Sequence, residues 1–491
     1  MRANSDDPHV RLLEDRSRQE PEPVAPPDVN SSNDGSDHRP VSIPDLAEER
    51  LAAKIESLGI YYSEFNGPYF IPDAGGGWVR VTESGAKRYL RAEGFCGTKG
   101  KQPISQIDEI LLGVTRTRSL AYAGPLAGHK AGAFRHQGNL ILVTSSPTLI
   151  EPASGRFPVI SELLRRLLRE DQIEYFWAWL KIAVESLRIG CIRPGQALVL
   201  AGERNCGKSL VQNHIITPLL GGRSAKPYQF MSAQTQFNAD LFGAEHQMIE
   251  DEIPSTDMRT RRNFGTMIKQ FTATEEIRCH GKYKPGLTLA PAWRLTISCN
   301  EEPEDLAILP PLDESLSDKL ILLKAYPGPM PMPTTSNNER VAFRNQIASE
   351  LPALVYFLHE WEIPMRVRGP RYGVREYHNP EIVEAIEELS PEEWLKELID
   401  NTRRAFGADQ PLGIVKELHL APVAWEGTAT QLEMLIRRDD TIRLEADKLF
   451  TTPKSCSMYL SKLVNKYPRR FKKIARRDSL RRYRIEPPGI G

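Results

Sequence analysis

The 491-residue chain carries balanced charge, with Lys plus Arg and Asp plus Glu at 64 each, and its 40% hydrophobic content allows roughly two to four globular domains. Its six cysteines form no C-x-x-C pair, which argues against a zinc ribbon and against a disulfide scaffold. No window approaches the ~18 apolar residues of a membrane span and the N-terminus lacks a signal-peptide core, so we expect a cytoplasmic protein without membrane contact.

The first 190 residues change character twice. Residues 1–45 are rich in Asp, Glu, Ser, Asn and Pro, which predicts a disordered tail because too little apolar surface is available for burial. Residues 46–155 alternate helix-like and strand-like runs and predict a small α/β module, whose chemistry the residues do not indicate. Residues 156–190 carry apolar side chains at helical spacing and predict a helical segment.

The stretch LVLAGERNCGKSLVQNHIITPLL, residues 198–220, sets an apolar strand against a glycine-containing loop and a helix. It matches G-x-x-x-x-G-K-[ST], in which backbone N–H groups cradle phosphates at a helix N-terminus. Lys208 is expected to reach the outer phosphates, and the Ser209 hydroxyl to coordinate Mg²⁺. The predicted nucleotide contacts are Gly202, Glu203, Arg204, Asn205, Cys206, Gly207, Lys208, Ser209 and Leu210.

Two later strands end in polar residues. In HQMIEDEIPS the acids Glu250, Asp251 and Glu252 follow a weak strand signal, at the edge where α/β sheets place ligands. We assign Asp251 to magnesium and Glu252 to activation of the attacking water; the alternative is a solvated acidic turn. The strand in WRLTISCNEEP ends at Asn300, whose amide is expected to bond the terminal phosphate and the water, although asparagine also ends strands for turn reasons.

The segment IRCHGKYKPGLTLAPAWR, between these two strands, predicts a hairpin with a basic tip. We expect Lys282, Tyr283 and Lys284 to present cations and one aromatic ring to single-stranded nucleic acid, with Arg278 and His280 beside them. The alternative is a solvated hairpin without a ligand.

The C-terminal end is strongly basic. Residues 451–491 contain twelve Lys or Arg against Asp478 and Glu486. After a linker and helical region at 371–423, residues 424–491 read as helix, helix and basic hairpin, the outline of a winged helix. The expected DNA contacts are Lys462, Arg476, Arg477, Arg481 and Arg482, with Lys454 and Ser457 near the groove. The alternative is a basic solvated tail.

The order GERNCGKS, IEDE, basic hairpin and TISCN resembles the superfamily-three helicases of viruses, phages and plasmids, and most of all the phage and poxvirus primase-helicase type. The stretch AYAGPLAGHKAGAFRHQGNLILVTSSPTLIEP is similar to the segment that precedes the ATPase in those proteins, so the resemblance covers residues from about 100 to 330. It implies an AAA+ core, placed at 191–370, that binds ATP and Mg²⁺, forms a ring, usually a hexamer, and moves on single-stranded DNA. The C-terminal end likewise resembles the C-terminal modules of phage primase-helicases.

One position departs from the family pattern. Many such helicases have an arginine beyond the Asn motif that reaches the neighbouring subunit's nucleotide, and here the corresponding stretch, PLDESLSDKLILLKA, has Lys319. A lysine supplies charge without the planar fork of arginine. Either Lys319 serves as the catalytic finger, or Arg340 or Arg344 takes that role, or hydrolysis is feeble.

Together these expectations describe an α/β protein with an AAA+ P-loop ATPase core, an N-terminal α/β-helical region and a C-terminal winged helix. The expected function is that of an ATP-dependent DNA helicase or translocase in replication of a phage or mobile element, in a bacterial host cell. The expected partners are a homo-hexamer, single-stranded DNA in the ring, duplex or forked DNA at the winged helix, and a separate primase or polymerase. Alternatives are an ATP-switched DNA-binding loader or regulator without unwinding activity, and a small-molecule kinase.

Overall fold

The computed structural model describes residues 43–63, 68–101, 103–190, 193–250, 258–310, 312–402, 424–477 and 480–488. The chain divides into two compact units, residues 1–54 and residues 55–491. The described part of the chain starts with helix α1 (Ile43–Leu58). Residues 1–42 of the predicted tail lie outside the described part of the chain.

Two small sheets occupy residues 61–143. Their elements are β1 (Tyr61–Ser63), β2 (Tyr69–Pro72), β3 (Trp78–Val81), α2 (Glu83–Ala92), α3 (Gln106–Thr117), β4 (Ser119–Leu120), β5 (Tyr122–Gly124), β6 (Gly132–His136) and β7 (Asn139–Val143). The first sheet has the order β3-β2-β1-β4 and the second β5-β7-β6, each mixing parallel and antiparallel pairs. Helices α2 and α3 begin where the hydroxyls of Thr82 and Ser105 accept backbone N–H bonds, as good N-caps do.

The second of these sheets shares a core with the P-loop region that follows. The Ala127 amide donates to the Phe242 carbonyl (2.8 Å), and the Ala127 carbonyl accepts from Ala292 (2.9 Å). Gly128 lies at φ +79°, and a Cβ there would stand 2.3 Å from the Cβ of Ala292, so only glycine allows this close approach. The composition of residues 46–155 predicts a separate module and does not reveal this shared core.

A six-stranded, fully parallel sheet forms the centre of the chain, with the order β15-β14-β8-β13-β10-β9. The mixed α/β prediction is confirmed by this sheet and its helices. The elements of this region are α4 (Pro158–Arg188), β8 (Ala197–Gly202), α5 (Lys208–Val211), a π-helix (Gln212–Ile216), α6 (Thr217–Leu219), β9 (Ser224–Ala225), α7 (Tyr228–Met231), a 3₁₀ turn (Ala239–Gly243), β10 (His246–Glu250), α8 (Met258–Ala273), β11 (Ile277–Cys279), β12 (Leu287–Leu289), β13 (Arg294–Cys299), α9 (Pro303–Leu306), α10 (Glu314–Ser317), β14 (Leu320–Ala325), α11 (Asn337–Glu360), β15 (Tyr377–His378) and α12 (Pro380–Glu388).

Both faces of this sheet are buried. Along β8 the side chains of Leu198 and Leu200 enter one core, with α4 and α11, whereas Ala197, Val199 and Ala201 enter the other, with α8 and α12. A strand covered on both faces needs a continuous apolar run rather than alternation, and the sequence ALVLAG of β8 supplies it. Because all strands run the same way, their carboxyl ends meet at one edge of the sheet.

The C-terminal region has its own core. Its elements are α13 (Pro391–Asn401), β16 (Trp425–Thr428), α14 (Ala429–Arg437), α15 (Arg443–Leu449), α16 (Ser455–Lys466), β17 (Phe471–Arg477) and β18 (Leu480–Ile485). The three strands pair antiparallel in the order β16-β18-β17. Leu395, Leu398 and Ile399 of α13, in the stretch predicted as linker, pack into this core. The predicted helix, helix and hairpin are present, with β16 and the additional helix α15.

No helix within the described ranges combines the length and the apolar character that crossing a bilayer requires.

Candidate functional site

The loop that leaves β8 is shaped by two glycines. A Cβ at Gly202 would lie 2.0 Å from the Ala325 carbonyl oxygen, because β14 passes directly beside the end of β8. Gly207 caps α5 at φ +116°, a conformation that residues with a side chain rarely adopt, and Asn205 also has a positive φ of 60°. The predicted strand, loop and helix are therefore confirmed, with a π-helical middle in the helix.

Lys208 is the first residue of that helix, and its side chain is buried. Its Nζ donates to the carbonyl oxygens of Gly202 and Glu203, each at 2.7 Å, and to Asn300 Oδ1 at 3.2 Å. Asn300 follows β13, which lies between β8 and β10 in the sheet. The structure therefore brings together the lysine and the asparagine that the sequence assigns to one nucleotide site.

The amide of Asn300 is held from its other side. Asn300 Nδ2 donates to Asp305 Oδ2 at 2.7 Å, which fixes the amide so that Oδ1 faces Lys208. The guanidinium of Arg204, in the loop, lies 3.6 Å from Asp305 and 3.8 Å from Glu302. The loop and the segment after β13 thus contact each other through exposed charges as well as through the buried lysine.

Glu250 is the acidic side chain that the structure places beside Ser209. It ends β10 and accepts hydrogen bonds from Lys226 Nζ (2.7 Å) and Asn213 Nδ2 (3.2 Å). Burial raises the pKa of Glu250, but hydrogen bonds from Lys226, Ser209 and Asn213 outweigh it, and the pKa lies below the usual value. Glu250 therefore presents a carboxylate next to the hydroxyl that the motif assigns to magnesium.

Asp251 and Glu252, the predicted magnesium ligand and the predicted base, lie outside the described residues, and their roles stay predictions. In the sequence they directly follow Glu250. The sequence signal for Glu250 was its position as the last residue of a strand in the same acidic run.

Arg166 on α4 also contacts the loop. Its guanidinium donates to the Cys206 carbonyl (3.0 Å) and to the carbonyls of Gly328 and Pro329. Burial lowers the pKa of Arg166. The residue joins the phosphate loop to the segment after β14, and no motif in the sequence singles it out.

A buried polar network lies behind the site. Gln212, in the π-helix, donates to Thr296 Oγ1 on β13 (2.7 Å), and His246 on β10 lies 2.7 Å from the same oxygen and 2.6 Å from Thr217 Oγ1. Burial lowers the pKa of His246 to about 3, so the ring is neutral at physiological pH. These bonds fix the helix after the loop against the strands that end near Glu250 and Asn300.

Lys319, the predicted catalytic finger, lies at the opposite edge of the sheet. It precedes β14, and its Nζ donates to Ser315 O and Asp318 Oδ1, each at 2.7 Å. The residue is 9% exposed, whereas Arg340 and Arg344 on α11 are exposed. A role across a subunit boundary stays a prediction for all three residues.

The basic hairpin is confirmed as an antiparallel pair, β11 and β12. Its base is clamped by the buried Asn238, which accepts from the His280 amide (2.7 Å) and donates to the Arg278 carbonyl (3.0 Å). At the tip Tyr283 is 91% exposed and holds φ at +60°, which is unusual for an aromatic residue. Lys282 and Lys284 flank it and are exposed too.

The basic residues of the C-terminal region differ in their partners. Lys462 is held by Glu392 of α13 (3.1 Å), and Arg482 lies 4.0 Å from Glu426. The side chains of Arg476 and Arg477 lie outside the described set. Within the described ranges Arg481 is exposed and has no ion pair. The same holds for Lys454, which is predicted near the groove, and for Lys473, which is not among the predicted DNA contacts.

The residues present fit a magnesium nucleotide. Among those described, no group of three or more His, Cys, Asp or Glu side chains is arranged to hold a metal on its own. A P-loop site needs no such cluster of ligands. Mg²⁺ in such a site is coordinated by a hydroxyl, by waters and by the phosphates themselves, with one carboxylate close by. Ser209 beside Glu250 would supply the hydroxyl and a carboxylate, and Lys208 would supply the phosphate contact.

Comparisons with known proteins show similarity in fold. Residues 200–314 match the model of a family of unknown function (DUF5906). The apo C-terminal region of NrS-1 is similar at a TM-score of 0.50 and 12% identity, over 89% of this chain and 98% of that one. Two structures described as helicases have lower TM-scores. SCCmec type IV Cch has a TM-score of 0.27 and 10% identity, over 83% of this chain and 72% of that one. The inhibitor-bound JCV helicase has a TM-score of 0.23 and 13% identity, over 44% of this chain and 61% of that one. No curated protein matches the sequence.

Proposed function

We propose that the protein is an ATP-dependent DNA helicase or translocase that acts in replication of a phage or mobile element. The observation that carries the proposal is the meeting of Lys208, Asn300 and the Ser209–Glu250 pair at the carboxyl edge of adjacent parallel strands. Ligands of α/β sheets bind at this edge. Below it, Thr296, His246 and Gln212 fix the two strands against the helix that carries Lys208.

Lys208 is arranged to change partners. In the structure its ammonium bonds to two neutral carbonyl oxygens of its own loop. The outer phosphates of ATP offer charged acceptors, which make stronger hydrogen bonds, so the side chain turns to them when nucleotide binds. Ser209 and Asp251 would hold Mg²⁺, which would supply positive charge to the phosphates. Glu252 would orient the attacking water, and Asn300 would bond the terminal phosphate.

Strand β13 joins the nucleotide site to the basic hairpin. β12 leads through residues 290–293 into β13, and β13 leads to Asn300. A shift of Asn300 on loss of the terminal phosphate therefore acts on a strand that is continuous with the hairpin. With Tyr283 stacked on a base and Lys282 and Lys284 on phosphates, this connection converts hydrolysis into a displacement of single-stranded DNA.

The C-terminal region binds duplex or forked DNA as a winged helix. Its helix α16 packs against the sheet through Tyr483, whose hydroxyl lies 3.2 Å from Ser461 Oγ. Lys473 is paired with Tyr483 across the sheet, and Arg481 lies two residues from it, so both cations stand on the sheet face that meets α16. We propose that the protein assembles into a homo-hexameric ring and that a separate primase or polymerase supplies the priming activity.

One observation favours a second function. Lys319 is buried and bound by its own chain, so it is poorly placed to reach a neighbouring nucleotide. An ATP-switched loader or regulator needs no fast hydrolysis and therefore no such finger.

Strand displacement separates these two functions. The protein is incubated with ATP and a forked duplex that carries one fluorescent strand, and release of that strand is followed with time. A motor releases the strand in step with ATP turnover, and the non-hydrolysable analogue gives no release. ATP turnover without strand release supports the loader, and absence of both rejects the proposed activity.

A further inference from the structure

A cleft separates the basic hairpin from the two N-terminal sheets. Its volume is about 410 Å³, and it is lined by Arg116, Thr117, Ser119, Leu120, Ala121, Arg135, Gly138, Asn139, Leu140, Pro285, Gly286 and Leu287. One wall is thus the return strand of the hairpin, and the other is formed by α3, β4 and the turn between β6 and β7. None of the sequence motifs accounts for this space.

The charged side chains among the described residues that line the cleft are both arginines, and Glu276 lies behind one wall, where it contacts His136 and Gln137. Arg116 and Arg135 are exposed on one side, and neither has an ion pair within the described part of the chain. Arg278 packs on Gly286 from the hairpin side, since a Cβ built there would lie 2.5 Å from its Nε. No Asp or Glu is among the described residues that line the cleft. Arg135 Nη1 donates to the Gly138 carbonyl (3.2 Å), which leaves its positive charge without an acidic partner among the described residues. Guanidiniums of this kind around a concave surface attract an anion, and their planar forks match phosphate oxygens.

The lining also indicates which phosphate compound fits. The described residues that form it offer hydroxyl, amide and glycine surfaces and no aromatic ring on which a base could stack. A free nucleotide would leave its base without a partner. A polynucleotide backbone, in contrast, offers phosphates in series, and its bases can stay on the exposed Tyr283 at the nearby hairpin tip.

We infer that this cleft binds the sugar-phosphate backbone of the single strand that contacts the hairpin, with Arg116 and Arg135 on the phosphates. The inference rests on the proposed function, because it extends the path of that same strand. It assigns a nucleic-acid role to the region around residues 116–140, for which the sequence indicated no chemistry. The contact is independent of base sequence, since only backbone groups are recognised.

The test is the salt dependence of binding to a fluorescent oligothymidylate, measured by anisotropy on the full chain. For single strands the slope of log affinity against log salt changes by about 0.7 for each phosphate contact, so R116Q/R135Q should have a slope smaller by about 1.4 than the wild-type slope. Affinity at about 0.1 M salt should fall roughly 10- to 30-fold by the same relation. ATP turnover without DNA should stay unchanged, because neither arginine lies in the nucleotide site.

The matched control is R80Q/R88Q, which removes two exposed arginines of the same region that lie outside the cleft. It should keep the wild-type slope, and equal thermal midpoints for all three proteins show that folding is intact. A wild-type slope in R116Q/R135Q overturns the cleft while leaving the proposed function standing. No binding of the oligonucleotide by the wild-type protein rejects the DNA-directed function itself.

A calorimetric titration with thymidine monophosphate distinguishes a polynucleotide backbone from a free nucleotide as the ligand of the cleft. The polynucleotide assignment predicts no saturable binding that depends on Arg116 and Arg135. Saturable binding that R116Q/R135Q abolishes would assign the cleft to a free nucleotide and contradict the inference.

Discussion

At the scale of single residues, the acidic run at residues 250–252 begins at the last residue of β10, and we propose a different role for each of its members. Glu250 keeps a carboxylate beside Ser209, and the two acids that follow it carry the proposed metal and base roles.

Glu252→Gln tests the base assignment. The amide keeps the size of the side chain but cannot accept a proton, so ATP turnover should fall by about 10²–10⁴ while affinity for a non-hydrolysable analogue changes little. Steady-state phosphate release and analogue binding measure the two effects. Unreduced turnover in this variant would show that Glu252 is not the base.

His246 makes acid stability a second test at this scale. Because burial holds its folded-state pKa at about 3, below the unfolded value of about 6.5, the unfolded chain binds the extra proton between these values. The stability that neutral His246 contributes is therefore full above about pH 6.5 and is lost as pH falls towards 3. His246→Gln should reduce the slope of unfolding free energy against pH in this window by about 1 kcal/mol per pH unit.

Thr217→Val is the matched control for that measurement. It breaks the bond to His246 without removing a titrating group. Denaturant unfolding at several pH values should give it the wild-type slope at lower overall stability. If His246→Gln also keeps the wild-type slope, His246 does not stay neutral in the fold.

At the scale of elements, the hairpin β11–β12 has a hydrogen-bonded base and an exposed tip. Asn238 clamps the base, and Tyr283 projects from the tip in a left-handed conformation. Backbone strain in an exposed aromatic residue is consistent with a contact surface rather than a packing role.

Tyr283→Ala should weaken single-stranded DNA binding while leaving basal ATP turnover unchanged. Stacking of one base on an aromatic ring contributes about 1–3 kcal/mol, so affinity should fall roughly 5- to 150-fold. Ile189→Ala, which removes another exposed apolar side chain far along the sequence, should have no effect. Equal DNA affinity in Tyr283→Ala and the wild type would leave the hairpin as a solvated loop.

The sequence predicts these elements unequally well. The phosphate loop, the strand before Asn300 and the hairpin follow from local patterns, because turn glycines and apolar runs act over a few residues. Arg166 and Asn238 could not be found in this way, since their partners lie far along the chain. The cleft beside Arg116 depends on how two sheets pack against the hairpin, which no local pattern encodes.

At the scale of the whole molecule, charge that sums to zero is distributed unevenly. The C-terminal region carries the basic excess, but many of its cations are held by acids of the same chain, as Lys462 is by Glu392. The formal charge of a segment therefore overstates the cations that remain for DNA. α13 also packs into this region, so a cut at residue 424 would expose Leu395, Leu398 and Ile399.

Substitution is accordingly a better test than truncation. Lys473→Gln with Arg481→Gln should weaken binding to duplex or forked DNA, and each lost phosphate contact should lower the salt slope by about 0.9. Basal ATP turnover should be unaffected. Lys448→Gln, on the exposed side of α15, is the control. If the double variant Lys473→Gln with Arg481→Gln has the wild-type salt slope, this face of the C-terminal region does not bind DNA.

The proposed function requires that ATP is cleaved at Lys208 and that this cleavage responds to nucleic acid. The most direct measurement is ATP turnover with and without single-stranded DNA, in the wild type and in Lys208→Ala, with Lys448→Ala as the control. We expect DNA to stimulate the wild type and the control, and Lys208→Ala to lose about 10²–10³ of turnover under both conditions, because a preorganised charge at the phosphates is gone. Wild-type turnover in Lys208→Ala, or turnover that is indifferent to DNA, would contradict the account.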